Sequence, residues 1–296
     1  LEVFNLEVSA VKKIKGFIKL LRPKQWIKNS FVLAALLFAV KFFDPTYLTK
    51  ALWATLSFCM ISSVIYVFND IIDMEKDRHH PKKKFRPIAA GIVTRLEAVF
   101  IIIIMLPLSI LIGLKLGLPF LATILLYVIN NILYTFYIKH VVILDVMSIA
   151  GGFILRVAGG ALAINVMISP WILLCTLLLS LFLGFSKRRH EIITLEEDAQ
   201  KHRKILDEYS VDFIDNMLSI VTATVVMSYS LYTFNKNIYL MITIPFVLYG
   251  IFRYQYVVYK KMEGGSPEET VVSDKPLLID ILMWIFSSLL IMYVTR

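Results

Sequence analysis

Three oxygen-bearing side chains recur four residues apart: Asn69, Asp73 and Asp77. In a helix each step of four rotates the side chain by only about 40°, so the spacing predicts one stripe carrying an amide and two carboxylates. Asp70 stands roughly 60° to the side of Asp73 and can join from the flank. Carboxylates stacked in this way repel one another unless a cation lies between them. Mg²⁺ takes one or two carboxylates and completes its octahedron with substrate phosphates. The stripe therefore asks for a metal-bound polyphosphate, with Asn69, Asp73 and Asp77 as candidate Mg²⁺ ligands and Asp70, Asp73 and Asp77 as candidate catalytic carboxylates. The alternative is a solvated helix end whose charges lie beyond a bilayer. Against it, Asn69 and Asp70 follow an unbroken apolar run, where ionisable groups are costly and usually functional.

A basic segment comes next, Arg78-His79-His80-Pro81-Lys82-Lys83-Lys84-Phe85-Arg86-Pro87. Its two prolines hold it outside any regular helix. Arg86 can grip a phosphate bidentately, while lysines such as Lys83 act as point charges; the triple lysine also reads as a topology signal. Further along, Asp145 and Arg156 share one apolar run, about 16 Å apart along a helix axis, too far to pair with each other. Each then needs its own partner: for Arg156 a phosphate or an acidic residue of the site, for Asp145, nearer the interface, a structural contact. Asn130, Asn131 and Tyr134 project one turn apart, with Lys139 beyond them, and interhelical hydrogen bonding is the plain reading. Cys59 and Cys175 form no metal or disulfide pattern, and His79, His80, His140, His190 and His202 lack zinc-site spacing. No Ser-His-Asp or Cys-His arrangement is evident.

The elements that must position these residues are membrane helices. Of 296 residues 58% are hydrophobic, well above the roughly 45–50% of soluble domains. Nine apolar stretches of spanning length, 26–43, 50–73, 96–114, 118–138, 141–163, 169–185, 213–234, 238–259 and 276–294, fill nearly the whole chain. The expected fold class is therefore an all-α integral membrane protein with nine transmembrane helices, as a single domain over 1–296. Residues 1–25 lack a signal-peptide cleavage pattern. Val11, Ile14, Phe17, Ile18 and Leu21 with interleaved Lys12, Lys13, Lys15 and Lys19 suit an interfacial helix on an anionic leaflet. With the N-terminus and alternate loops on one side, that side carries 25 of the 31 Lys and Arg, the others being Lys41, Lys50, Lys115, Arg156, Lys236 and Arg296. The positive-inside rule then makes the N-terminus cytoplasmic and the C-terminus external. The net charge of +9 is explained by this placement, not by nucleic-acid binding.

Asn69-Asp70-x-x-Asp73-x-x-x-Asp77 at the end of the second apolar run resembles the signature of the UbiA superfamily of intramembrane prenyltransferases. The resemblance implies a nine-helix bundle and Mg²⁺ at this motif. Members that prenylate aromatic rings usually carry a second Asp-rich motif after the sixth helix. Here that loop reads Phe185-Ser186-Lys187-Arg188-Arg189-His190-Glu191, followed by Glu196, Glu197 and Asp198. Other segments are similar to the decaprenyl-phosphate phosphoribosyltransferase branch: 21–29, which holds Lys24 and Lys28; 84–91; Tyr134 to Lys139; Asp145; Gly152 to Arg156; Lys187, Arg188 and Glu191; and Ser266-Pro267-Glu268-Glu269 leading to Asp274.

That resemblance implies transfer of 5-phosphoribose from phosphoribosyl pyrophosphate (PRPP) to a polyprenyl phosphate at the cytoplasmic face of the cell (inner) membrane. It also implies Asn69, Lys24, Lys28, Lys83, Arg86, Tyr134, Lys139, Arg156, Lys187, Arg188 and Glu191 as substrate-binding residues. The acceptor oxygen is already anionic, so no general base is required. Two rivals stand beside this reading, an aromatic prenyltransferase with a prenyl diphosphate donor and a non-catalytic transporter or lipid-phosphate binding protein. A homo-oligomer is left open.

Overall fold

A computed structural model describes residues 2–81, 83–167, 169–194, 204–261 and 264–295, with the backbone alone for 2–10, 204 and 207. Lys82, Glu196, Glu197, Asp198, His202 and Arg296, named above, lie outside the described residues. Among those described there are helices and no strand. In a bilayer only intrasegment hydrogen bonding or a closed barrel satisfies the backbone, and these long apolar runs take the first route.

After α1 (Glu2–Leu21) come a 3₁₀ helix (Pro23–Leu33) and the short α2 (Ala34–Phe38), then α3 (Pro45–Ile72) and α4 (Met74–Arg78). The chain continues through α5 (Arg95–Leu116), α6 (Leu118–Phe136), α7 (Leu144–Ala163), α8 (Pro170–Thr194) and α9 (Val211–Lys236). A 3₁₀ turn (Ile238–Thr243) leads into α10 (Ile244–Lys260), followed by α11 (Pro267–Ser273) and α12 (Lys275–Val294). Local sequence sets many of the starts. Asp44 caps α3 with Pro45 behind it, Thr94 and Glu97 form a reciprocal capping box on α5, and Ser210 and Asp274 cap α9 and α12.

Eight helices among the described residues are long and apolar enough to cross a membrane, and the chain is a multi-pass membrane protein. Their windows are buried to different degrees: 61% for α3 and α7, but 11% for α5, so α3 and α7 form the interior and α5 an outer wall. The apolar face of α1 is exposed at Val11, Ile14 and Ile18, whereas Leu20 is buried against Val67, Met74 and Ile88.

The stretch expected as the first span, 26–43, departs from that expectation. It is not one long α-helix but the eleven-residue 3₁₀ helix and the five-residue α2. Pro23 disfavours helical geometry at the residue before it, and Arg22 adopts a left-handed conformation (φ 53°) that ends α1. The 3₁₀ segment is held by close packing: a Cβ added at Gly160 of α7 would lie 1.9 Å from the Val32 carbonyl oxygen. Gly160→Ala should therefore cost at least the roughly 1–3 kcal/mol of a typical overpacked core, read as a lowered unfolding midpoint in detergent. An unchanged midpoint would show that α7 and this segment do not touch as described. The segment runs from Gln25, whose amide donates to Glu268 (2.7 Å) ahead of α12, to Phe43, whose ring meets Tyr293 near the end of α12.

Candidate active site

The acidic motif sits where α3 gives way to α4. The helix breaks at Asp73 (φ −86°, ψ 2°), yet Asp73 N–H donates to the Asn69 carbonyl (2.9 Å) and Asp77 N–H to the Asp73 carbonyl (2.8 Å). These two bonds carry the four-residue phase across the break. Asn69 Oδ1 accepts from Thr135 Oγ1 of α6 (3.1 Å). Asp73 is half-buried, and its carboxylate has no hydrogen bond or ion pair among the described residues.

Asp70 and Asp77 are buried, and arginines hold both. Arg86 Nη1 lies 2.7 Å from Asp77 Oδ2 and 3.0 Å from Asp70 Oδ1; Arg22 Nη2 donates to the same Asp70 oxygen at 2.5 Å. Arg22 also lies over the Tyr66 ring, 4.9 Å from its centroid, one turn before Asp70 on α3. Asp70, read from spacing as a flanking group, is thus one of the two paired carboxylates of the motif. Among the described residues no three Asp, Glu, His or Cys side chains converge on one metal position. The physical reason is visible in the pairs: guanidinium groups already neutralise two of the carboxylates. The donor set nevertheless fits a hard cation. Asp73 offers a carboxylate without a protein partner, and Asp77 and Asp70 each keep one oxygen outside their ion pairs.

A second set of polar groups lies further along the chain. Arg156 is buried (4% exposed), with Nε on Asn29 Oδ1 (2.7 Å), Nη1 on the Gly152 carbonyl (2.9 Å) and Nη2 on the Tyr127 hydroxyl (2.8 Å). Among the described residues no carboxylate pairs with this guanidinium, which stacks on Tyr127 and Phe153. Lys28 Nζ lies 3.3 Å from Glu268 Oε1. Burial opposes ionisation of Glu268, but the adjacent Lys28 ammonium, the Gln25 amide and Lys187 outweigh it and hold the carboxyl below the usual range. Lys187, beside Arg188 on α8, is half-buried.

Arg188, expected on phosphate, has carboxylate partners within the protein. It is enclosed between Asp145 (Nε to Oδ2, 2.8 Å) and Glu191, and Asp145 Oδ1 also accepts from the Tyr209 hydroxyl (2.8 Å). Gly184 makes this possible, since a Cβ there would meet Val146 at 2.5 Å and push α7 and α8 apart. Asp145 has the structural partner expected of it, and that partner is the residue expected on phosphate. Of the other candidates, Lys24 and Lys83 are exposed, and Tyr134 and Lys139, on either side of Thr135 in the chain, are half-buried. Asn130 bonds to Ser148 of α7 and Asn131 to its own helix, in keeping with the packing role.

Arg22, Gln25, Asn29, Tyr127 and Glu268 belong to the site but were not singled out by spacing. Arg22, Gln25 and Asn29 flank Lys24 and Lys28, and their side chains join the site only through tertiary packing.

The UbiA prenyltransferase family profile matches residues 29–269. The chain is 36% identical to the decaprenyl-phosphate phosphoribosyltransferase of Corynebacterium glutamicum over 94% of its own length and 87% of that protein. It is 32% identical to the enzyme of the same name from Mycolicibacterium smegmatis, over 92% and 91%. A solved UbiA homolog from Archaeoglobus fulgidus, bound to GPP and Mg²⁺, superposes with a TM-score of 0.71 at 19% identity, covering 92% of this chain and 98% of that one.

Proposed function

The chain belongs to the UbiA prenyltransferase family, and on that premise we propose that it transfers 5-phosphoribose from PRPP to a decaprenyl-type polyprenyl phosphate, releasing pyrophosphate. The observation that carries this is the near full-length identity to relatives so named. The site's chemistry supports it. Four cationic side chains, Arg22, Lys28, Arg86 and Lys187, stand toward one end of the bundle with Arg156 deeper among the helices, a charge suited to a donor with a pyrophosphate and a further phosphate and to an anionic lipid acceptor.

Asn69, Asp73 and Asp77 would hold Mg²⁺, with Asp70 in support. Bound there, the metal would neutralise the pyrophosphate as C1–O cleavage loads charge onto it. Arg86 and Arg22 stand beside these carboxylates and can turn a guanidinium face to phosphate oxygens, stabilising the same leaving group. Arg156, fixed by three neutral partners, supplies uncompensated positive charge deeper in the bundle. No side chain need remove a proton, because the acceptor phosphate is ionised.

The reading includes a single membrane domain with nine crossings. The 3₁₀ segment and α2 together rise roughly 30 Å, the thickness of a bilayer core. Gln25 near the start of that segment meets Glu268 of α11, just ahead of α12, and Phe43, five residues past α2, meets Tyr293 near the far end of α12, which supports a ninth crossing. Nine crossings with a cytoplasmic N-terminus place the acidic motif on the cytoplasmic face, where the basic loops lie.

Purified chain with Mg²⁺, labelled PRPP and decaprenyl phosphate should yield a lipid-linked phosphoribose and stoichiometric pyrophosphate. No product from any polyprenyl phosphate would defeat the proposal. Product from a prenyl diphosphate and an aromatic acceptor instead would place the chain with the prenylating members.

A further inference from the structure

Four buried side-chain atoms among the described residues have no hydrogen-bond partner: the hydroxyls of Tyr232, Tyr254 and Ser288, and Glu268 Oε2, the one that belongs to a carboxylate. A buried polar atom left unpaired is costly and uncommon, so one beside the cations of the candidate site calls for a partner. The Glu268 side chain is only 8% exposed. Its other oxygen is fixed by Gln25 and Lys28. Those two residues lie on the 3₁₀ helix that starts directly after Arg22, whose guanidinium reaches Asp70, so Glu268 is tied to the same short segment as the acidic motif.

We propose that Glu268 binds the ribose of the donor, its free oxygen accepting a hydrogen bond from the 2- or 3-hydroxyl. An ionised carboxylate only accepts hydrogen bonds, so its partner must bring an O–H or N–H. This step rests on the donor being PRPP. Of the two substrates then present, the polyprenyl phosphate and the phosphates of the donor bring no such group at neutral pH; the ribose hydroxyls are the donors that remain. A prenyl diphosphate has no hydroxyl, so Glu268 also selects a sugar donor over an isoprenoid one. Lys28 and Lys187 offset the repulsion between this carboxylate and the nearby phosphates.

The test is equilibrium binding of PRPP, its 2-deoxy and 3-deoxy analogues, and inorganic pyrophosphate to the full chain in detergent with Mg²⁺. A hydrogen bond to a charged group is strong enough that the parent should bind one deoxy analogue on the order of 10–100-fold more weakly than PRPP. Glu268→Ala should lose a similar factor for PRPP, keep its affinity for pyrophosphate, and no longer distinguish that analogue. Glu268→Gln, which retains the shape and one acceptor oxygen, should fall between the two.

Equal binding of PRPP and both analogues by the parent overturns the assignment without any variant. Discrimination that survives in Glu268→Ala overturns it as well. So does a parallel loss of pyrophosphate affinity, which would mark Glu268 as a residue that positions Lys28. A parent that binds pyrophosphate but not PRPP would instead remove the donor reading itself, and this assignment with it.

Discussion

Asp73→Asn should fold as the parent does and release pyrophosphate on the order of 10²–10³-fold more slowly. The two halves of this expectation come from one observation. Asp73 is half-buried at the break between α3 and α4, and its carboxylate has no ion pair or hydrogen bond among the described residues. Removing its charge therefore breaks nothing in the protein, while the stripe of Asn69, Asp73 and Asp77 loses the carboxylate most available to a cation. Asp77→Asn is a less clean experiment, because Asp77 also pairs with Arg86 at 2.7 Å. The checks are pyrophosphate release under saturating PRPP and the unfolding midpoint of the same preparation. Parental rates for Asp73→Asn would take the metal site out of the mechanism.

The carboxylate stripe was readable because a spacing of four is a local property of a helix, and the backbone bonds through Asp73 preserve it across the break. The apolar runs were readable for the same reason, and eight of the nine correspond to long helices. What the runs could not give was helix type. For 26–43, run length is compatible with an α-helix, and Pro23, Arg22 and close contact with Gly160 impose a 3₁₀ path instead. Partner choice was equally hidden. Arg22 lies 48 residues from Asp70, Arg188 lies 43 from Asp145, and Gln25 lies 243 from Glu268. Spacing ruled out an Asp145–Arg156 pair, correctly, but nothing local pointed to Arg188 as the structural partner of Asp145.

These hidden pairs give the site a common logic. Asp70 and Asp77 are buried charges that would be expensive alone, and Arg22 and Arg86 neutralise them in the free protein. A metal-bound pyrophosphate brings both signs of charge, so the carboxylates can take the cation while the guanidinium groups take the phosphate oxygens. On the proposed reading, binding is an exchange of partners in which no charge is left unpaired at either end. Arg156 differs, since its partners are neutral and it has nothing to give up.

Arg188 marks the boundary between such exchangeable pairs and fixed ones. Its side chain is 2% exposed and that of Asp145 0%, and Tyr209 takes the second Asp145 oxygen, whereas Arg22 and Arg86 are more than a quarter exposed. Removing one partner of such a buried pair typically costs about 3–5 kcal/mol, because the other charge is stranded. Arg188→Met should therefore be among the most destabilising substitutions in the chain, recovered poorly and with a much reduced unfolding midpoint. The double variant Asp145→Asn with Arg188→Met removes both charges of the fully buried pair and leaves only Glu191, whose side chain is 23% exposed and can be hydrated, so it should regain most of that stability and bind PRPP within a few fold of the parent. Isothermal titration on the two variants decides the role. A double variant that is stable yet binds PRPP more than about tenfold more weakly would return Arg188 to the phosphate-binding set, since a loss of affinity without a loss of fold means that its guanidinium met the donor directly.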